Sequence, residues 1–271
     1  MDAMIPVKDA TIPVKDGEVW AHDSGGPGGT DDGGPPLVLL HPGVGDSRIW
    51  DPVLPRLTER HRVIRYDARG YGRSPAPSAP FSPVADLTAV LDHFGVARAV
   101  LAGSSMGGAA ALSLAVGDPA RVAGLALVVP GVTGAEDLLT RDFTAEVGRL
   151  ARAGDIDGIV ALTLRTSGAA GTGADARAEA HVRSVVPAWL ACHPYHVPDP
   201  PVLDRLGEID VPCVLVIGEH DRPEVVRTNE AMAERIPDCR LVRLAHSDHF
   251  PTLREPSAVA DAILAACEAA R

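Results

Sequence analysis

One run of this 271-residue chain has the residue types and spacing for covalent acyl chemistry. Gly103-Ser104-Ser105-Met106-Gly107 fits G-x-S-x-G with Ser105 central. It follows an apolar stretch of strand length and opens a stretch of small residues with helical character. In that setting the serine occupies a tight strand-to-helix turn, and side chains two positions to either side would collide, so glycine is needed there. Ser104 lacks the flanking glycines. The plainer reading is a Gly/Ser turn without chemistry, and the strand-helix context argues against it. A serine hydroxyl is a weak nucleophile alone. It needs a base beside it and an acceptor that orients the base. Around such a turn the partners are expected in the order serine, carboxylate, histidine.

Two later loops offer those partners. After the apolar run at 214–218 come Glu219, His220 and Asp221. Asp221 is the expected acid and Glu219 its local rival; either would also serve as an N-cap for the next helix. The loop His246-Ser247-Asp248-His249-Phe250-Pro251 holds two histidines. His249, deeper in the loop, is the expected base, and His246 reads as a surface or supporting residue. Asp248 is poorly placed to reach the ring of its neighbour; lying close, it would favour the protonated imidazole. His41 reads as a brace for the loop that follows it.

To bring these loops together the chain needs a sheet. Apolar runs at 37–41, 62–66, 98–102, 122–129, 213–217 and 239–244 have strand length. Helical patterns at 47–59, 84–94, 105–116, 224–235 and 257–270 alternate with them, with Ser82 and Pro83 as a start signal for the second. Such alternation makes a buried, mostly parallel sheet with helices on both faces. Ligands of these sheets bind at the carboxyl edge of the strands. Residues 11–14 and 18–23 flank Asp16-Gly17, a hairpin signal. The pentapeptide Ile5-Pro-Val-Lys-Asp9 recurs at 12–16, too few copies for a repeat architecture, and residues 25–36 read as a Gly-rich loop. Residues 134–207, which include Ser167-Gly-Ala-Ala-Gly-Thr-Gly173, show no strand pattern and are expected to be a mostly helical insertion. The expected organisation is one core (1–133 and 208–271) with an inserted cap (134–207). In the cap, Trp189, Tyr195 and His196 cluster with His193. Together with Phe250 they are the expected substrate-binding residues, against the plainer reading of cap packing. His193 and His196 have an i, i+3 spacing that occurs in metal sites, but Pro194 interrupts a regular helix, and no metal is expected.

Composition sets the outer bounds. Lys and Arg total 25 against 36 Asp and Glu, a net charge of −11, the wrong sign for a nucleic-acid binder. Residues 1–36 hold seven of the acids and only Lys8 and Lys15, so nearly half of the excess sits there. Apolar residues make up 46 %, ample for a core and unlike a disordered chain. No apolar run nears the roughly 20 residues of a membrane span, and the N-terminus lacks a secretory signal. Cys192, Cys213, Cys239 and Cys267 form no C-x-x-C pair; they are expected reduced and the protein cytoplasmic. Without a P-loop or dinucleotide fingerprint, no cofactor is expected. The expected partner is a small-molecule substrate.

Five ordered motifs resemble the α/β-hydrolase fold superfamily over nearly the whole chain. They are Leu39-Leu-His-Pro-Gly-Val-Gly45 with Trp50 beyond it, Arg65-Tyr-Asp-Ala-Arg-Gly-Tyr-Gly-Arg-Ser74, the Ser105 turn, Gly218-Glu-His-Asp221, and His249-Phe-Pro-Thr-Leu-Arg-Glu-Pro256. The resemblance implies an α/β-hydrolase fold: a mostly parallel doubly wound sheet with an inserted helical cap that shapes the pocket. It implies Ser105 as nucleophile, Asp221 as acid and His249 as base, and an oxyanion hole from the backbone N–H groups of Gly43 and Met106. His41-Pro42 replaces the usual His-Gly, so Val44 is the alternative donor to Gly43. Asp67 and Arg69 are implied to be structural. Within the superfamily the closest likeness is to small esterases and 3-oxoadipate enol-lactonase-like hydrolases. The implied activity is hydrolysis of a small carboxylic ester or lactone through an acyl-serine. Alternatives on the same fold are an acyltransferase, a cofactor-free lyase or oxygenase, or a ligand receptor with little turnover.

Overall fold

The computed structural model describes residues 8–26, 34–135, 138, 141–168 and 175–271. The start of the first pentapeptide copy, most of the Gly-rich loop at 25–36 and residues 169–174 of the Gly-rich run in the expected cap lie outside them. The described strands are β1 (Lys8–Val14), β2 (Gly17–Asp23), β3 (Leu37–Leu40), β4 (Val63–Tyr66), β5 (Ala99–Ser104), β6 (Val122–Val128), β7 (Cys213–Gly218) and β8 (Cys239–Leu244). They form one sheet in the order β1-β2-β4-β3-β5-β6-β7-β8. The β1–β2 hairpin adds to β4 antiparallel, and every pairing from β4 to β8 is parallel.

Alternate strand residues feed two cores, as the side-chain period of two requires. Val38, Leu40, Leu101, Leu127 and Ile217 face one side. There they meet α2 (Pro83–His93), α3 (Met106–Gly117) and α7 (Pro223–Arg235). Leu37, Leu39, Val100, Val128 and Val216 face the other, against α1 (Leu54–Thr58) and α9 (Pro256–Ala269). The fold is therefore doubly wound. Between β6 and β7 come α4 (Arg141–Arg152), α5 (Ile156–Ser167) and α6 (Ala176–Cys192), and α8 (Pro251–Arg254) follows the histidine loop. Leu150, Ile159 and Val182 of the inserted helices join the second core.

Local signals explain several element ends. Ser82 Oγ accepts the Ala85 N–H at 3.1 Å, and Pro83 opens α2. The single helix expected at 47–59 is instead a 3₁₀ turn at Ser47–Trp50, capped by Asp46, and then the short α1. Pro52 and Pro55 have no N–H to donate to a continuous ladder. No described helix is long and apolar enough to cross a membrane.

One buried ion pair locks the turn after β4 to α2. Arg69, 2 % exposed, gives Nε and Nη2 to the two oxygens of Asp86 at 2.7 Å each. Its Nη2 also donates to Lys15 O in the hairpin at 2.6 Å. Burial pushes the Asp86 carboxyl up while Arg69 pulls it down. Asp67 ties the same turn to its neighbours, accepting the Ser47 N–H at 2.8 Å and the Arg73 N–H at 2.9 Å.

Two stability predictions follow from these groups. Arg69→Met should cost about 3–5 kcal/mol, because it strands a buried carboxylate, and adding Asp86→Leu should recover part of that; urea midpoints measure both. His61 is 4 % exposed, its Nδ1 has no partner, and burial with Arg271 and Arg60 nearby pushes its imidazole down. Above the ordinary histidine pKa both folded and unfolded rings are neutral. As pH falls below it, the unfolded chain binds a proton that the folded chain refuses, so stability drops by up to about 1.4 kcal/mol per pH unit. Thermal unfolding between pH 8 and pH 5 should show this slope reduced in His61→Leu.

Candidate active site

Ser105 joins β5 to α3 with φ 46° and ψ −110°. That left-handed φ is strained for a residue with a side chain, at a cost of about 1–3 kcal/mol. Neighbouring backbone holds it there. The Ser105 N–H donates to Val128 O at 3.2 Å, and its C=O accepts from Gly131 and Ala109 at 2.9 and 3.0 Å. The two flanking glycines are a matter of space. A Cβ on Gly103 would lie 2.5 Å from Gly107 O, and one on Gly107 would lie 2.3 Å from Leu40 O.

The structure brings Ser105, His249 and Asp221 together from three separate loops at the carboxyl edge of the sheet. His249 Nδ1 is 2.6 Å from Asp221 Oδ2, and Nε2 is 3.0 Å from Ser105 Oγ. His249 and Asp221 are 7 % and 6 % exposed. With Nδ1–H donating to the carboxylate, Nε2 accepts the serine hydroxyl. The remaining Asp221 oxygen takes the Arg222 N–H at 2.7 Å. Glu219 is exposed and sits 3.9 Å from Arg243. His246 is exposed too, and its N–H bonds Glu255. Asp248 is fully buried and engaged elsewhere: Arg254 donates to its Oδ2 at 2.9 and 3.0 Å, and the Phe250 N–H to its Oδ1 at 2.9 Å.

The histidine loop is tied to the inserted helices. Arg254 also pairs with Asp175, whose carboxylate caps α6 through the Arg177 and Ala178 N–H groups. The His249 N–H donates to Ser167 O, at the end of α5, at 3.0 Å. A third tie reaches the loop after β3, where the Trp189 indole N–H donates to Gly43 O at 2.5 Å. In that loop His41 donates from Nδ1 to Pro42 O at 2.9 Å and accepts the Ala68 N–H on Nε2 at 3.0 Å. It braces two loops at once. Among the described residues, the N–H groups of Gly43, Val44 and Met106 have no acceptor.

Gly43, Val44, Met106, Ser105 and His249 all line one cavity of about 650 Å³, a size that encloses a small organic ligand. A second cavity of about 540 Å³ lies beside it, and Met106, Trp189, His193 and His196 line both. Of the expected substrate-binding residues, Trp189 and His196 line both cavities. Tyr195 and Phe250 are not among the described residues that line either cavity. Tyr195 packs on the Tyr71–Phe81 cluster. Phe250 is 1 % exposed in the core with Trp50 and α9, its backbone held by Asp248. Sequence reasoning missed Arg222, which also lines the first cavity; its place after Asp221 was the one available signal.

A doubly wound sheet with a strained serine at the turn after its central strand defines a class of α/β proteins. Residues 37–262 match the Alpha/beta hydrolase family, and the chain belongs to that family. It is 28 % identical over 251 residues to the pimeloyl-[acyl-carrier protein] methyl ester esterase of Nitrosomonas europaea, covering 84 % of this chain and 93 % of that protein. It is 45 % identical over 97 residues to a Variovorax paradoxus protein provisionally named carbamate hydrolase RutD. That match spans only 34 % of this chain and 36 % of the relative. Among solved structures, Est816, described as an N-acyl homoserine lactone degrading enzyme, superposes with a TM-score of 0.73 at 26 % identity, covering 94 % of this chain and 99 % of that one. An esterase and a lactone-degrading enzyme are thus both among the similar proteins, in line with the resemblance read from the motifs.

The geometry predicts that a fluorophosphonate labels Ser105 in the native protein. Ser105→Ala should abolish labelling, and His249→Ala should slow it by more than about 100-fold. Mass spectrometry of the labelled peptide measures both.

Proposed function

We propose that this protein is a serine hydrolase of small carboxylic esters or lactones, working through an acyl-serine, with residues 134–207 as a cap over the site. The observation that carries the reading is the hydrogen-bonded relay Ser105–His249–Asp221 opening on a largely apolar cavity. Ser105 Oγ attacks the substrate carbonyl as His249 Nε2 takes its proton. Asp221 holds the ring in the tautomer that can accept that proton, and stabilises the imidazolium that forms. The oxyanion is received by the Met106 N–H and by an N–H of the Gly43–Val44 loop, each donor of this kind contributing about 100- to 1,000-fold in rate. His249 returns the proton to the leaving alkoxide. Water then repeats the sequence on the acyl-serine and releases the acid.

Trp189 steadies that loop: its bond to Gly43 O fixes the plane of the Gly43–Val44 peptide, and with it the direction of the Val44 N–H. Tyr195 and Phe250 leave the list of substrate contacts on this reading, whereas Trp189 and His196 stay. The similar esterase and lactone-degrading enzyme support the reaction class.

The test is a panel of p-nitrophenyl esters, lactones and carbamates with wild type and Ser105→Ala. Wild type should turn over at least one ester or lactone, and Ser105→Ala should lower kcat by about 10⁴- to 10⁶-fold. Undiminished turnover by Ser105→Ala would overturn the assignment. Acyl transfer to an added alcohol or thiol in preference to water would make the protein a transferase, and a labelled Ser105 with no turnover would make it a receptor.

A further inference from the structure

We propose that Cys213 and Cys239 are a reversible redox pair: a peroxide oxidises the Cys239 thiol, and Cys213 closes a disulfide that pins strand β8 to β7. Neither residue lines the cavity around Ser105, and the proposal does not rest on the hydrolase reading. The two are direct partners in the parallel register of β7 and β8, each at the first position of its strand. Neighbouring strands lie about 4.7–4.9 Å apart, inside the range of about 4.4–6.8 Å between the Cα atoms of a disulfide. In-register partners point to the same face of a sheet, and both side chains pack on the core shared with α7. The Cys213 N–H donates to Asp238 O at 2.8 Å, which holds the two strand starts together. The thiols themselves interact directly.

The two thiols are not equivalent. Cys213 is 3 % exposed. Cys239 is partly exposed on an edge strand and lines a surface cavity of about 410 Å³. Contact with Cys213 holds the Cys239 thiol below the ordinary cysteine value. The same contact, with burial, pushes Cys213 well above it. The thiolate is the form that attacks an oxidant, so the accessible member of the pair is also the nucleophile. The other cysteines lack both properties. Burial pushes Cys192 up to about 11 and Cys267 up to about 12, and the Cys192 thiol donates to Arg69 O at 3.0 Å. Glu230 and Glu234 line the cavity beside Cys239, and Asp238 precedes it. That charge disfavours an anionic oxidant and suits small, neutral hydrogen peroxide. The Cys239 thiolate takes one peroxide oxygen, leaving a sulfenic acid and hydroxide. The Cys213 sulfur then attacks the Cys239 sulfur: the S–S bond forms, the S–O bond breaks and a second hydroxide leaves. The protons given up by the two thiols turn both hydroxides into water. A dithiol reductant reverses the bond by exchange. Both cysteines lie at the amino ends of their strands and Ser105 at the carboxyl edge, so the bond fixes the free edge of the sheet without entering the site.

The experiment treats folded wild type with hydrogen peroxide at a small excess, alkylates the remaining thiols and maps the peptides by mass spectrometry. The main product should be an intramolecular Cys213–Cys239 link, with Cys192 and Cys267 recovered as alkylated thiols, and dithiothreitol should undo it. Amide exchange along β8 should slow by about tenfold or more in the linked protein, while fluorophosphonate labelling of Ser105 keeps its rate. Cys213→Ala should stop at the sulfenic acid, trapped on Cys239 by dimedone. Cys239→Ser should slow peroxide consumption by about tenfold or more. Circular dichroism establishes that both variants are folded, and the wild-type arm decides without them. Peroxide that leaves the pair unlinked, links either cysteine to a second chain, or links them only in urea overturns the proposal. So do oxidation of Cys192 or Cys267 as fast as of Cys239, and β8 exchange unchanged by the link. Loss of Ser105 labelling on linking overturns the separation of the pair from the site.

Discussion

The arrangement depends on the backbone of one residue. Ser105 is held at φ 46° between a central strand and the helix that follows, and that strain survives because the surroundings allow no alternative. Val128, Gly131 and Ala109 satisfy its backbone groups, while Gly103 and Gly107 leave α3 close enough to β3 and β5 to fix the turn. The sheet order serves the same end. β5 lies between β3 and β6, so the loop after β3 and the loop after β6 flank the serine from either side. β7, next beyond β6, delivers Asp221, and the loop after β8 returns His249 across it.

Charge is handled by local pairing. The described cavity lining holds no carboxylate, although the chain has 36 acidic residues. Those buried near the site are each committed: Asp67 to backbone N–H groups, Asp86 to Arg69, Asp248 to Arg254, and Asp221 to His249 and the Arg222 N–H. Asp248 stands beside His249 in sequence, yet its carboxylate is taken up by Arg254 and the Phe250 N–H rather than by the ring.

Much of this was legible in the sequence, because it follows from local rules. The glycines around Ser105 reflect a collision that any strand-to-helix turn of this kind would meet. Alternating apolar strands and helices prescribe the doubly wound sheet, and Ser82 with Pro83 marks a helix start. What stayed hidden depends on contacts between distant segments. The pattern at 47–59 has helical period, but Pro52 and Pro55 divide it. Phe250 looked like a pocket residue from its position beside His249. The Asp248–Phe250 turn sends it into the core with Trp50 instead. Arg254 carries no local signal of its partners, and sequence alone could not pair it with Asp175, 79 positions away. That Arg222 lines the cavity could not be read from its place after Asp221 alone.

The ties between the inserted helices and the loops beneath them have a kinetic consequence. Arg254 to Asp175, His249 N–H to Ser167 O, and Trp189 to Gly43 O each run from the α5–α6 region to the histidine loop or to the loop after β3. A cap hinged freely on the core could swing open and leave the machinery below intact. This one cannot lift at α5 and α6 without releasing the histidine loop and the loop after β3. On the proposed reading, opening along that motion and keeping the relay assembled exclude each other.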